Sequence, residues 1–117
     1  MTTKVFLVGY MGCGKSTLAR KLSRRTGVRA VDTDAEVERM EGASVGDIFR
    51  YEGEERFREL ERSVVERVAA SGEACIVATG GGLPTWSDNM EMLSKAGTMV
   101  YLRRSAERIA ARLTPYG

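Results

Sequence analysis

Val5-Phe6-Leu7-Val8 runs directly into Gly9-Tyr10-Met11-Gly12-Cys13-Gly14-Lys15-Ser16, and Thr17-Leu18-Ala19-Arg20-Lys21-Leu22 follows. The first four residues are an unbroken apolar run, as expected of a parallel strand buried on both faces. The last six open a helical pattern. Between them the residues fit G-x-x-x-x-G-K-S/T, in the strand–loop–helix setting that gives the pattern its meaning. Glycines let the backbone curl until successive N–H groups point at phosphate oxygens, and the helix N-terminus adds its partial positive charge there. Lys15 is expected to reach the β- and γ-phosphates, and Ser16 to help hold Mg²⁺. A plain glycine turn ahead of an amphipathic helix would need neither side chain, so the segment reads as a nucleotide site.

Outward from this opening, Lys4–Gly9 is followed by further apolar runs at Arg29–Asp32, Cys75–Thr79 and Thr98–Leu102, each read as a strand. Helical spacing covers Lys15–Thr26, Ala35–Met40, Val45–Tyr51, Glu54–Ala70, Ser87–Lys95 and Ala106–Leu113. The alternation predicts an α/β domain built on a parallel sheet with right-handed crossovers. Thr33 with Glu36 forms a T-x-x-E capping box, and Ser44 with Asp47 a similar start. Gly27, Gly42 and Gly72 stand where helices should stop. Phe57, Leu60, Val64 and Val68 mark the apolar face of the long helix, and Glu54 precedes Arg58 by four residues.

At 117 residues the chain is one domain at most, and its apolar fraction of 43% is ordinary for a globular protein. A net charge of +2, from 18 basic and 16 acidic residues, gives no broad field for nucleic acid or a membrane surface. Arg24-Arg25 and Arg103-Arg104 are isolated pairs, read as solvated element ends. No apolar stretch reaches membrane-spanning length, and no signal or transit segment precedes the first strand. The two cysteines, Cys13 and Cys75, read as reduced thiols of a cytosolic protein. The absence of histidine excludes imidazole acid–base chemistry and imidazole-based zinc sites, neither of which phosphoryl transfer requires. Trp86, Tyr101 and Tyr116 carry no motif and are expected to be packing residues.

Three places could carry further chemistry. Asp32 and Asp34 flank Thr33 just past the second strand, on the edge of a parallel sheet that also holds the phosphate loop. One could hold Mg²⁺ through its water and the other orient or deprotonate an acceptor hydroxyl; equally, both could cap the next helix. Gly80-Gly81-Gly82 follows the third strand, where three glycines expose backbone N–H groups more than a turn alone requires, favouring contact with a ligand. Arg58 could clamp a carboxylate, but with Glu54 and Arg62 four residues to either side it reads first as an ordinary charged helix face.

Taken together, the loop, the Asp32-Thr33-Asp34 pair, the Gly53-Glu54-Glu55-Arg56-Phe57-Arg58-Glu59-Leu60-Glu61 run and the glycine triplet resemble shikimate kinase in order and spacing. The resemblance implies a three-layer P-loop NTPase fold with sheet order 2-3-1-4-5, and transfer of the ATP γ-phosphate to the 3-hydroxyl of shikimate in chorismate biosynthesis. It implies that Gly12, Cys13, Gly14, Lys15, Ser16 and Thr17 bind the ATP phosphates, with Ser16 and Asp32 on one Mg²⁺. Lys15 and Asp34 would be catalytic, Asp34 as general base on the shikimate hydroxyl. Arg58 would pair with the shikimate carboxylate, which reverses the plainer reading above. Gly80, Gly81 and Gly82 would contact shikimate and the transferring phosphate, Phe49 and Phe57 would line the apolar side, and Glu61 would support the polar side. Arg112 resembles the arginine packed over adenine.

The family continues through a lid, a second substrate arginine, a fifth strand and a closing helix. The chain is therefore expected to be a P-loop kinase domain over 1–117, cut at the start of the lid. The expected partners are ATP and shikimate, with neither nucleic acid nor membrane, for a cytoplasmic monomer. A gluconate kinase of the same fold and a nucleotide-binding module without turnover are the alternatives. Asp-Thr-Asp and Phe57-Arg58 favour a carboxylated, hydroxylated ring.

Overall fold

The strand Lys4–Val8 (β1) divides its side chains between two apolar cores, because successive residues of a strand face opposite sides of the sheet. The computed structural model describes residues 3–9, 14–80, 83, 86 and 88–102. After β1 come α1 (Lys15–Thr26), β2 (Arg29–Asp32), α2 (Thr33–Glu41), α3 (Val45–Glu52), α4 (Glu54–Ala70), β3 (Cys75–Ala78), α5 (Asn89–Ala96) and β4 (Thr98–Tyr101). The four strands are all parallel, in the order β2-β3-β1-β4.

On one face Phe6, Val8, Val31, Cys75 and Val77 pack with Val65 of α4, Leu83 and Leu93 of α5. On the other, Leu7, Ile76 and Ala78 pack against Ala19, Leu18 and Leu22 of α1. Those are the three layers expected of the sequence, and β1 and β3 are buried along almost their whole length. A third cluster joins Val37 of α2, Ile48 of α3 and Phe57, Leu60 and Val64 of α4, outside the sheet layers. It seats the short helices α2 and α3 on the long one.

Registers pair Leu7 with Ala78 and Ala78 with Asp32. The carboxyl ends of β1, β2 and β3 therefore lie along one edge, and the segments leaving them, at Gly9, Thr33 and Thr79, share it.

The helix bounds of α1 and α4 agree with the sequence. Gly27 and Gly42 close α1 and α2 in the left-handed conformation, at φ 74° and 66°. Three expectations are corrected. The cap of α2 is Asp32 rather than Thr33, since Ala35 N–H donates to Asp32 Oδ1 at 3.1 Å. Thr33 is fully buried with its hydroxyl turned to Gly80, so it has no freedom to cap. Gly72 does not end α4, which stops at Ala70 with Ser71 as its cap. The outer strand β4 is largely exposed rather than buried, and Tyr101 is 56% exposed with its hydroxyl donating to Met90 Sδ, so it is no core residue. The helix expected at Ala106–Leu113, Arg103-Arg104 and Tyr116 lie outside the described residues.

Candidate active site

The half expected to hold the nucleotide grows from the β1–α1 connection. Gly14 takes φ 89°, left-handed backbone that suits glycine, and no side chain caps the helix that follows. Lys15 is 8% exposed, and its Nζ donates to the Gly9 carbonyl at 2.6 Å, which draws the ammonium back toward the end of β1. Ser16 Oγ donates to Asp32 Oδ2.

Asp32 therefore serves two partners: one oxygen caps α2 and the other meets Ser16. A hydroxyl and a carboxylate at one point are hard oxygen donors suited to Mg²⁺, which keeps several waters and takes one or two protein ligands beside phosphate oxygens. No group of three or more acidic or thiol side chains able to hold a metal occurs among the described residues. Such a spare donor set fits Mg²⁺ bound jointly with a phosphate rather than an all-protein cage.

The half expected to hold the acceptor is built by α2, α3 and α4. The Phe49 and Phe57 rings lie 4.8 Å apart, and the Arg58 guanidinium stands 5.3 Å from the Phe57 centroid and 5.9 Å from that of Phe49. Arg58 Nη1 donates to Glu61 Oε1 at 2.6 Å, and its Nε lies 3.7 Å from Glu54 Oε1. The Glu54–Arg58 pair expected from spacing is present, but the stronger contact is with Glu61, which is fully buried. Aromatic rings on one side and a carboxyl on the other hold the guanidinium in place before any ligand arrives.

Glu61 in turn hydrogen-bonds Asp34. Two carboxyl groups bond only if one carries a proton. Asp34 Oδ1 and Glu61 Oε2 are buried and receive no hydrogen from any other described group, so a shared proton accounts for both. Burial raises both groups above their ordinary range, while their mutual bond lowers Asp34 and raises Glu61. Glu61, pushed up to about 8, is the member that keeps the proton. It accepts from Arg58 on one oxygen and shares a hydrogen with Asp34 through the other.

Gly80 closes the site from the sheet. Its N–H donates to Thr33 Oγ1 at 3.0 Å, and Leu83 N–H returns to the Gly80 carbonyl at 3.1 Å. Thr79 Oγ1 donates to the Leu7 carbonyl at 2.9 Å, tying the end of β3 to β1.

Of the residues singled out in the sequence, Lys15, Ser16 and Asp32 come together at one end of this edge. Asp34, Phe49, Phe57, Arg58, Glu61 and Gly80 come together beside them, and Thr17 follows Ser16 in the first turn of α1. Gly12, Cys13, Gly81, Gly82 and Arg112 lie outside the described residues. Reading the sequence missed Thr33 as the hydroxyl that holds Gly80, because its partner is 47 residues away and leaves no local pattern.

Residues 11–115 match the model of the family described as shikimate kinase. The shikimate kinase of Parabacteroides distasonis is 44% identical over 110 residues, covering 94% of this chain and 63% of that protein. That of Persephonella marina is 43% identical over 108 residues, 92% of this chain and 65% of that protein. Among solved structures, the shikimate kinase of Acinetobacter baumannii in complex with shikimate superposes with a TM-score of 0.84 at 37% identity, over 98% of this chain and 64% of that one. The chain thus spans less than two thirds of the length of these relatives. With the parallel sheet order, the strand–loop–helix opening and a family match over nearly all its residues, the chain belongs to the shikimate kinase family.

Proposed function

We propose that this chain carries the ATP and acceptor sites of an enzyme that moves the γ-phosphate of ATP to the 3-hydroxyl of shikimate, a step of chorismate and aromatic amino-acid synthesis. The observation that carries the reading is the Arg58–Glu61–Asp34 chain, in which a guanidinium is bonded to a buried glutamate that is bonded in turn to a second carboxyl beside Gly80. A ring bearing both a carboxylate and hydroxyls fits that pair. The relative solved with shikimate bound supports the choice of ring.

In this reading the ATP phosphates lie over the start of α1, where Lys15 and the backbone N–H groups offset their charge. Gly12, Cys13, Gly14 and Thr17 complete that cradle, and Arg112 packs over the adenine. Ser16 and Asp32 would hold one Mg²⁺, which when bound neutralises charge on the phosphates. Arg58 clamps the acceptor carboxylate, the face of the ring lies against Phe49 and Phe57, and Gly80 to Gly82 approach the phosphate in transfer. Asp34 takes the proton from the hydroxyl as its oxygen bonds to the γ-phosphorus and the bond to the ADP oxygen breaks. Glu61 holds Arg58 and Asp34 in one geometry.

The test is ADP release from MgATP by the full-length protein with shikimate, with gluconate and with no acceptor. Release that depends on shikimate is expected; release with gluconate alone, or none with any acceptor, would overturn the reading. We extend the proposal to a cytoplasmic monomer without nucleic-acid or membrane partners, checked by sedimentation of the purified enzyme and by cell fractionation.

A further inference from the structure

Asn89 is 1% exposed at the start of α5, and nothing in the transfer reaction just described uses it. A buried amide costs free energy unless every polar atom finds a partner, so an apolar residue would fill the same space more cheaply if packing were all that mattered. Here both ends of the amide are engaged. Nδ2 donates to the Leu83 carbonyl at 2.8 Å, and Oδ1 accepts from Arg62 Nη1 at 2.6 Å. Arg62 also pairs with Asp88 and with Glu66, so its guanidinium is fixed from several sides.

Leu83 is fully buried, and it is the far end of the turn that begins at Gly80. That turn is consequently held twice: Thr33 takes the N–H of Gly80, and Asn89 takes the carbonyl of Leu83. Both anchors belong to elements that also serve the acceptor. Thr33 sits next to Asp34, and Arg62 stands one helical turn beyond Arg58 on α4.

We infer that Asn89, held by Arg62, is a positioning residue for the acceptor site: it ties Leu83, and through it Gly80, to the stretch of α4 that carries Arg58. The inference rests on the proposed shikimate reaction for its kinetic consequence, but not for its structural one.

Asn89→Asp separates the two bonds. The new carboxylate still accepts from Arg62 but has no hydrogen for the Leu83 carbonyl. In the full-length enzyme, the KM for shikimate should rise about tenfold with a fall in kcat, the scale of one lost hydrogen bond that fixes geometry. The KM for ATP should stay within about twofold. In the ligand-free protein, amide hydrogen exchange at Gly80 and Leu83 should quicken while exchange in α1 does not. Unchanged shikimate kinetics with unchanged exchange would overturn the inference, as would equal losses for ATP and shikimate. Should the Asp variant fail to fold, Arg62→Gln leaves Asn89 in place but unheld, and the same kinetic and exchange measurements on it decide the matter in the same way. If the unaltered enzyme shows no shikimate-dependent turnover, the proposed reaction falls, and the exchange experiment still decides the clamp.

Discussion

Asp34 Oδ1 and Glu61 Oε2 converge on one point, the place a β-carbon would take on residue 80. Asp34 Oδ1 stands 2.7 Å from that point and Glu61 Oε2 is closer still. The two side chains are bonded to each other and Glu61 also to Arg58, so displacing either disturbs all three. Gly80→Ala should therefore push the carboxylate proposed as the base out of line and cost at least about 10²-fold in kcat. The nucleotide half does not touch this point, so MgADP affinity by titration calorimetry should hold. A variant with near-normal turnover would show that the carboxyl pair is not fixed where it stands.

Asp32 offers a cleaner division between structure and chemistry. Asparagine caps a helix as well as aspartate, so Asp32→Asn should keep the bond from Ala35 N–H and the thermal stability of the ligand-free protein. It removes the charge beside Ser16, and the Mg²⁺ concentration needed for half-maximal activity should rise. Asp32→Ala should lose both, with about 1 kcal/mol of stability gone as well. If the Asn variant keeps its Mg²⁺ dependence, the aspartate is a cap and no more.

For Arg58, truncation confounds two effects, because it also strips Glu61 of its donor. Arg58→Ala should weaken shikimate binding by about 2–5 kcal/mol and spare ATP. Arg58→Lys keeps a cation near Glu61 but loses the planar fork, so it should lose acceptor affinity with a smaller drop in melting temperature. Parallel titrations with shikimate and ADP check this. Equal loss for both ligands points to a folding defect instead.

Glu61 gives the fold a pH dependence of defined sign. Its pKa rises from an ordinary 4.5 to about 8 in the folded chain, so between those values the folded state holds a proton that the unfolded state releases. The stabilisation is whole below the lower value and is lost as pH rises through the upper one. Glutamine imitates the protonated acid, donating to Asp34 and accepting from Arg58 without titrating. Denaturant unfolding at about pH 5 and about pH 8 should show the wild type losing stability relative to Glu61→Gln. A difference between the two proteins that does not change with pH would place the proton elsewhere.

Where a feature is local, the sequence discloses it. The run Val5 to Val8 and the glycines and lysine after it define β1, the loop and the start of α1, and Gly27 and Gly42 mark two helix ends. The start of α2 is ambiguous because Asp32, Thr33 and Asp34 are all good caps in a row. What breaks the tie is the bond from Gly80 to Thr33, and nothing near Thr33 announces it. Asn89 and Arg62 are illegible for the same reason: 27 residues separate them, and each alone looks like ordinary surface. The grouping of Phe49, Phe57 and Glu61, like the sheet order, followed from the family's likeness rather than from spacing, since an aromatic pair on two helices shows only when the helices meet.

The helix α4 bears Arg58, Glu61 and Arg62 within about one turn, and through them it reaches Asp34 and Asn89, and so the proposed acceptor anchor and base. A stiff rod with three attachments moves them in concert. In the proposed reaction, a small slide of α4 along its axis would loosen the grip on the acceptor and detune proton removal in the same stroke. An inhibitor wedged behind this helix could therefore silence the enzyme without competing with ATP or acceptor. By the same coupling, a change that alters substrate choice at Arg58 will need compensation at Arg62.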